Sequence, residues 1–105
     1  MVTSVLGEAM ISAVNFAEVV TKLALRGSPL RQILAELTDA EIDVVDFDRT
    51  LAEAAGSLAV LTRDRGLSLG DRACLSLAQR EKATALTADR VWASIGLGID
   101  IQFIR

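Results

Sequence analysis

The sequence predicts an α/β fold, a single three-layer α/β/α domain with a small, mainly parallel sheet covered by helices on both faces. The chain of 105 residues fits one domain, since domains typically have about 100 to 150 residues. Apolar residues make up 51% of the chain and aromatic residues only 4%, which favours aliphatic helices on a buried sheet. Short β-branched segments alternate with helical patterns, which indicates parallel strands joined by right-handed crossovers.

The first half of the chain predicts an extended segment followed by a helical hairpin. After residues 9–13, apolar side chains recur at helical spacing up to Gly27, which is a typical C-terminal stop. The second helix has Ser28 as its expected N-cap and Pro29 in its first turn, and it extends to about Leu37.

The second half alternates strands with helices. Residues 42–47 are few and β-branched, so they predict a strand. Asp48 is placed to cap the alanine-rich helix that ends before Gly66. Four further elements follow: a helix over 69–80, a strand over 83–87, a brief helix near 89–93 and a last strand over 100–104. On such sheets, ligands usually bind beyond the carboxyl ends of the strands.

Composition and charge exclude several classes of protein. No apolar run approaches the roughly 20 residues that span a bilayer, and no basic segment precedes an apolar one, so we expect neither membrane anchor nor signal peptide. The single cysteine, Cys74, is compatible with a reducing, cytoplasmic location and is expected to be a buried, inert thiol. A net charge of −3 allows only a local phosphate site. Without histidine, any catalysis must rest on carboxylates.

Glu18 is the first candidate site residue. It lies in the run ISAVNFAEV, on the helix face opposite the apolar stripe, where periodicity alone makes it a solvated side chain. Lys22 follows four residues later, a spacing typical of an ordinary helical ion pair. A functional role for Glu18 therefore needs support beyond its spacing.

Asp71, in the run SLGDRACLSLA, admits two interpretations. Cys74, Leu75 and Ala78 follow it at helical spacing and place it at the head of an apolar stripe, where an ionised carboxylate is costly unless it is paired or bound to a cation. Equally, Ser68 and Asp71 have the spacing of a capping box, and an acid in the first turn suits the helix dipole. The sequence leaves both open.

Asp89, in the run ALTADRVW, directly follows the strand predicted over 83–87, although it could instead cap the short helix that begins there. Thr87 is placed to hydrogen-bond a carboxylate or a metal-bound water, or only to cap the turn. Three acids from distant segments could share one divalent ion, and Mg²⁺ prefers such oxygen-rich sites. The ion would activate water and neutralise phosphate charge, allowing hydrolysis without histidine or cysteine.

The blocks ISAVNFAEVVTKL, SLGDRACLSLA and LTADRVW resemble PIN-domain ribonucleases of the VapC toxin type, and they occur in that family's order. The resemblance covers essentially the whole chain. It implies RNA cleavage with Mg²⁺ or Mn²⁺, with Glu18, Asp71 and Asp89 as catalytic and metal-binding residues and Thr87 and Ser12 in supporting roles. It also implies a homodimeric toxin of a type II toxin–antitoxin system, inhibited by a small cognate antitoxin.

The sequence departs from the family at its beginning. PIN domains open with a central strand that ends in an aspartate, and no aspartate precedes Ser12 here. The opening MVTSVLGEA resembles the end of the family's first helical region, which predicts truncation or a misplaced start; a second alignment puts Val2 where the aspartate belongs. Because unpaired buried backbone groups each cost about 1 to 3 kcal/mol, we expect residues 2–6, a rearranged sheet or a partner chain to replace that strand.

Further interpretations stay open at this point. Arg72 and Arg90 each follow a candidate acid and suit phosphate recognition, or they are charges on helix surfaces. The missing aspartate favours a catalytically silent PIN remnant that binds an antitoxin or dimerises through its apolar helices. A plain α/β interaction domain, in which the acids are caps and surface charges, is the other alternative.

Overall fold

Five strands and four α-helices form the described part of the chain, which in the computed structural model comprises residues 1–87, 92 and 97–103. The strands are β1 (Val2–Thr3), β2 (Ala9–Ser12), β3 (Ile42–Val45), β4 (Thr84–Thr87) and β5 (Ile101–Phe103). The helices are α1 (Ala13–Leu25), α2 (Leu30–Asp39), α3 (Arg49–Leu61) and α4 (Leu69–Glu81), and a 3-10 turn at Arg63–Arg65 links the last two. The predicted α/β class is confirmed.

The strands form one sheet in the order β3-β2-β1-β4-β5. The outer pairs, β2 with β3 and β4 with β5, are parallel. The central strand β1 is antiparallel to both of its neighbours. β2, β3, β4 and β5 therefore all point in one direction, and the sheet is mainly parallel as predicted.

The N-terminal segment fills the centre of the sheet. Val2 is fully buried and lies opposite Met10 on one side and Ala85 on the other. A tight turn joins β1 to β2, in which the N–H of Gly7 donates to the carbonyl of Ser4 at 2.9 Å. Residues 2–3 of the segment expected to fill this position therefore form the central strand, and this strand runs opposite to the other four strands of the described sheet.

Local signals set most of the helix ends. Ser12 caps α1 and Asp48 caps α3, each through a side-chain oxygen. The expected cap of α2 is wrong by one residue, because Pro29 rather than Ser28 is the N-cap and makes no side-chain cap bond. The strand expected over 42–47 ends at Val45. The short helix expected near 89–93 lies outside the described residues apart from Trp92, and so does the end of the last strand at position 104.

The core lies between the sheet and the pair α3 and α4. Residues 73–78 of α4 are all buried, with Leu75 and Leu77 fully enclosed. Leu51 and Leu58 of α3 pack into the same cluster. By contrast, α1 has no buried residue and α2 has one, Ile33. The helical hairpin therefore covers the sheet only partly, whereas α4 is an interior helix.

Candidate metal-binding cleft

A cleft of about 680 Å³ lies beside the carboxyl ends of β2 and β4. Because those two strands point in the same direction, their last residues meet at one edge of the sheet, where ligands of α/β proteins usually bind. The polar and charged side chains that line the cleft are Asn15, Glu18 and Lys22 of α1, Ser68 at the N-cap of α4, Asp71 in the first turn of α4, and Thr87 of β4.

The Glu18 carboxylate lies against the first turn of α4. A Cβ atom built on Gly70 would be 2.5 Å from Oε1 and 2.6 Å from Oε2 of Glu18, so this close approach requires a glycine. Glu18 is an exposed residue, as its helical position predicts. Among the ion pairs of the described residues, however, none joins it to Lys22. The carboxylate is directed toward α4 rather than toward the lysine on its own helix.

Asn15 holds this contact in place. Its Nδ2 donates to Glu18 Oε1 at 3.0 Å and to the Gly70 carbonyl at 2.9 Å. Its Oδ1 is buried and has no hydrogen-bond partner among the residues that the structure describes. The sequence analysis missed Asn15. The one available signal was its place one turn before Glu18, since the contact with Gly70 crosses the fold and leaves no trace in local spacing.

Asp71 forms the capping box that its spacing allows. The Ser68 N–H donates to Asp71 Oδ2 at 2.9 Å, and the Asp71 N–H donates to Ser68 Oγ at 3.1 Å. Asp71 is only half-buried and also lines the cleft. Asp71 therefore takes part in the capping box, and it also lines the same cleft as Glu18.

Thr87 and Ser12, the two supporting candidates, have different surroundings. Thr87 ends β4, is buried and lines the cleft. Ser12 is also buried, but its Oγ accepts a hydrogen bond from the Val14 N–H at 3.3 Å and it does not line the cleft. Thr87 therefore lies at the cleft with Glu18 and Asp71. Ser12 instead caps the N-terminus of α1.

Cys74 lies at the inner wall of the cleft. Burial raises the pKa of its thiol above the ordinary value of 9.0, although the α-amino group of Met1 opposes this shift. That amino group is 3.7 Å from Cys74 Sγ. A thiol with a raised pKa is protonated at neutral pH and is a poor nucleophile. The expectation that the thiol is buried is confirmed, and the expectation that it is inert stays a prediction.

Arg72, one of the two arginines predicted to contact phosphate, does not line the cleft. Arg72 Nη1 donates to the Ala55 carbonyl of α3 at 2.9 Å. The guanidinium thus ties α4 to α3, which favours the structural interpretation of Arg72. Arg90 and the third candidate acid, Asp89, lie outside the described residues.

The candidate metal ligands at the cleft are oxygen atoms, which suit a hard divalent cation. Within residues 1–87, 92 and 97–103, no group of three or more His, Cys, Asp or Glu side chains could hold a metal. Two carboxylates, Glu18 and Asp71, do line one cleft, and a buried Asn15 Oδ1 without a partner lies beside them. Because Mg²⁺ is usually held by one or two carboxylates and several waters, these residues fit such an ion.

Comparison with known proteins places this arrangement in a family. A family model described as the PIN domain matches residues 2–97. Searches of curated proteins and of solved structures give no match. No helix in the described part of the chain is both long and apolar enough to cross a membrane. The match includes β1 to β4, the four helices of the described residues and every residue that lines the cleft except Met1.

Proposed function

Since the chain belongs to the PIN-domain family, whose members are generally metal-dependent nucleases, we propose that it is an endoribonuclease of the VapC type that requires Mg²⁺ or Mn²⁺. One observation carries this proposal: Glu18 of α1 and Asp71 of α4, far apart in sequence, line the same cleft. Mg²⁺ is usually held by one or two carboxylates and several waters, and this pair of acids supplies two carboxylates.

Glu18, Asp71 and Asp89 are the proposed metal ligands. When bound, the ion would supply an activated water and neutralise phosphate charge. Glu18 and Asp71 would hold it from two different helices, and the capping box restrains the Asp71 side chain. Thr87 closes the buried side of the cleft at the end of β4. In this proposal Ser12 supports the site indirectly, because it begins the helix that carries Glu18.

Lys22 is better placed than Arg72 to bind a substrate phosphate. It lines the cleft one turn after Glu18, and none of the ion pairs within the described residues involves it. Its ammonium is thus available to an RNA backbone, which binds proteins chiefly through phosphate charge. We expect Lys22→Ala to weaken RNA binding and to reduce the salt dependence of that binding.

The test of the proposed function is cleavage of single-stranded RNA in the presence of Mg²⁺ or Mn²⁺. Glu18→Gln, Asp71→Asn and Asp89→Asn each remove a proposed ligand with little change in shape, and each is expected to lower the rate by at least about a hundredfold. Glu53→Gln is the matched control, since Glu53 is an exposed carboxylate of α3 that pairs with Arg49. Equal cleavage by the wild type and all three ligand variants would contradict the proposal.

The biological role we propose is that of the toxin in a type II toxin–antitoxin system, acting as a homodimer and inhibited by a small cognate antitoxin. Exposed apolar side chains on the helical hairpin support a protein partner, among them Leu25 at 84% and Leu30 at 56% exposure. Induced expression should arrest bacterial growth, and Glu18→Gln should relieve that arrest. Light scattering of the purified chain would test the dimer.

A catalytically silent PIN domain is the second candidate, and the composition of β1 favours it. β1 occupies the central position of the sheet but contributes no carboxylate, because it consists of Val2 and Thr3. Thermal melting with added Mn²⁺ separates the candidates. A metal site stabilises the fold by mass action. A chain that is stabilised but cleaves no RNA would be silent, whereas a chain without any shift would be a plain interaction domain.

A further inference from the structure

We infer that Asn15 is a positioning residue that aims the Glu18 carboxylate, and that the affinity of the cleft for a divalent cation depends on its side-chain amide. The inference rests on the proposed function, since it concerns the same cleft. It assigns a role to a residue that the three sequence blocks do not single out as an acid, a base or a ligand.

The hydrogen bonds of Asn15 give the amide a directional role. An asparagine amide has two N–H donors, and both are used, one on Glu18 Oε1 at 3.0 Å and one on the Gly70 carbonyl at 2.9 Å. The amide thus bridges α1 and α4 and holds the Glu18 carboxylate at the head of α4. A group that fixes the orientation of a metal ligand in this way typically changes metal affinity about 10-fold to 100-fold when it is removed.

Glu18 needs such a partner because burial does not hold it. The residue is exposed, and no ion pair restrains it among the described residues. A free glutamate side chain samples many rotamers and loses that freedom when it binds a cation. The bond from Asn15 restricts those rotamers before the cation arrives, which lowers the entropic cost of binding.

Gly70 supplies the space that the arrangement requires. A Cβ atom at this position would lie 2.5 Å from Glu18 Oε1 and 2.8 Å from Cδ, so any other residue would displace the carboxylate. Gly70→Ala therefore offers a second way to misdirect Glu18, without changing Asn15 or any of the three proposed ligands.

Asn15 also provides its own spectroscopic probe, because it is the only asparagine in the chain beside three glutamines. In ¹⁵N-labelled protein its side-chain NH₂ pair is therefore readily assigned. Substoichiometric Mn²⁺ should broaden the Asn15 pair, while the pair of Gln32, on α2 and outside the cleft lining, should stay sharp. An Asn15 pair that stays sharp while Mn²⁺ is bound would contradict the inference.

The decisive experiment compares Mn²⁺ affinity, measured by water-proton relaxation, in the wild type, Asn15→Ala and Gln32→Ala. Gln32 is a matched control, since its Nε2 donates to the Glu36 carboxylate at 3.3 Å on an exposed helix surface. We expect Asn15→Ala to bind Mn²⁺ about 10-fold to 100-fold more weakly and Gln32→Ala to bind as the wild type does. The thermal midpoint without metal reports whether each variant is folded.

The possible results separate the inference from the proposed function. Equal affinity in wild type and Asn15→Ala would overturn the role of Asn15 and leave the metal site intact. A wild type that binds no Mn²⁺ would overturn the proposed function and the inference with it. If Asn15→Ala does not fold, Asn15→Leu takes its place, because leucine has a similar size and lacks the amide donors; a drop in Mn²⁺ affinity is expected, and an unchanged affinity would contradict the inference.

Discussion

Helices α1 and α4 each carry one candidate acid, but they hold it in opposite ways. Both have 13 residues, yet seven residues of α4 are buried and none of α1 is. Asp71 is fixed by a capping box with the backbone of a buried helix. Glu18 stands on a peripheral helix and is fixed by another side chain, that of Asn15. One side of the cleft is therefore set by core packing, and the other by a few polar contacts at the surface.

The largest expected effect tests the difference in burial. Leu75→Ala on α4 removes a fully buried side chain and should lower the free energy of unfolding by about 2 to 5 kcal/mol, because it leaves a cavity in the core. Leu25→Ala on α1 removes a side chain that is 84% exposed and should change it by less than about 0.5 kcal/mol. Urea unfolding measures both. Similar losses in the two variants would contradict the asymmetry.

A smaller effect is expected from the capping box. Ser68→Ala removes the hydroxyl that accepts the Asp71 N–H and should lower the free energy of unfolding by about 1 kcal/mol. Glu18→Gln changes an exposed side chain and should alter it by less than about 0.5 kcal/mol, although it removes a proposed ligand. The same urea titrations test this pair. Equal stability of Ser68→Ala and wild type would show that the capping box contributes nothing measurable.

The smallest effect concerns the pH dependence of α4. Because burial raises the pKa of the Cys74 thiol in the folded state, the folded chain binds this proton more tightly than the unfolded chain. The resulting stabilisation is fully present below the ordinary pKa of 9.0 and is lost as the pH rises through the higher, folded value. Between pH 8 and pH 10, the wild type should therefore lose more stability than Cys74→Ala does. A parallel decline in the two proteins would contradict this linkage.

The sequence was most informative where the contacts are local. Asp48 as the cap of α3 and the pairing of Ser68 with Asp71 both follow from residues within one turn of each other, and the structure has both. The cap of α2 was misplaced because Ser28 and Pro29 are both good residues at a helix start, and the backbone geometry that decides between them is not encoded in their order.

Contacts across the fold were beyond local reasoning. The reversed direction of β1 could not be predicted, because a two-residue strand has no periodicity and either direction buries Val2. The bond from Asn15 to the Gly70 carbonyl depends on how α1 packs on α4. Neither interpretation of Arg72 anticipated that the Ala55 carbonyl of α3 accepts its hydrogen bond. The sequence identified the candidate acids of the site, whereas the contacts that orient Glu18 depend on how α1 packs on α4.

The direction of β1 also determines how much of the chain each pairing in the centre of the sheet encloses. Because a tight turn joins β1 to β2, the central pairing forms between residues that are near neighbours in sequence. The pairing of β1 with β4, by contrast, joins the beginning of the chain to a segment near its end through two residues on each side. Loop-closure entropy grows with the length of chain enclosed. The hairpin of β1 and β2 therefore closes at a lower entropic cost than the pairing of β1 with β4.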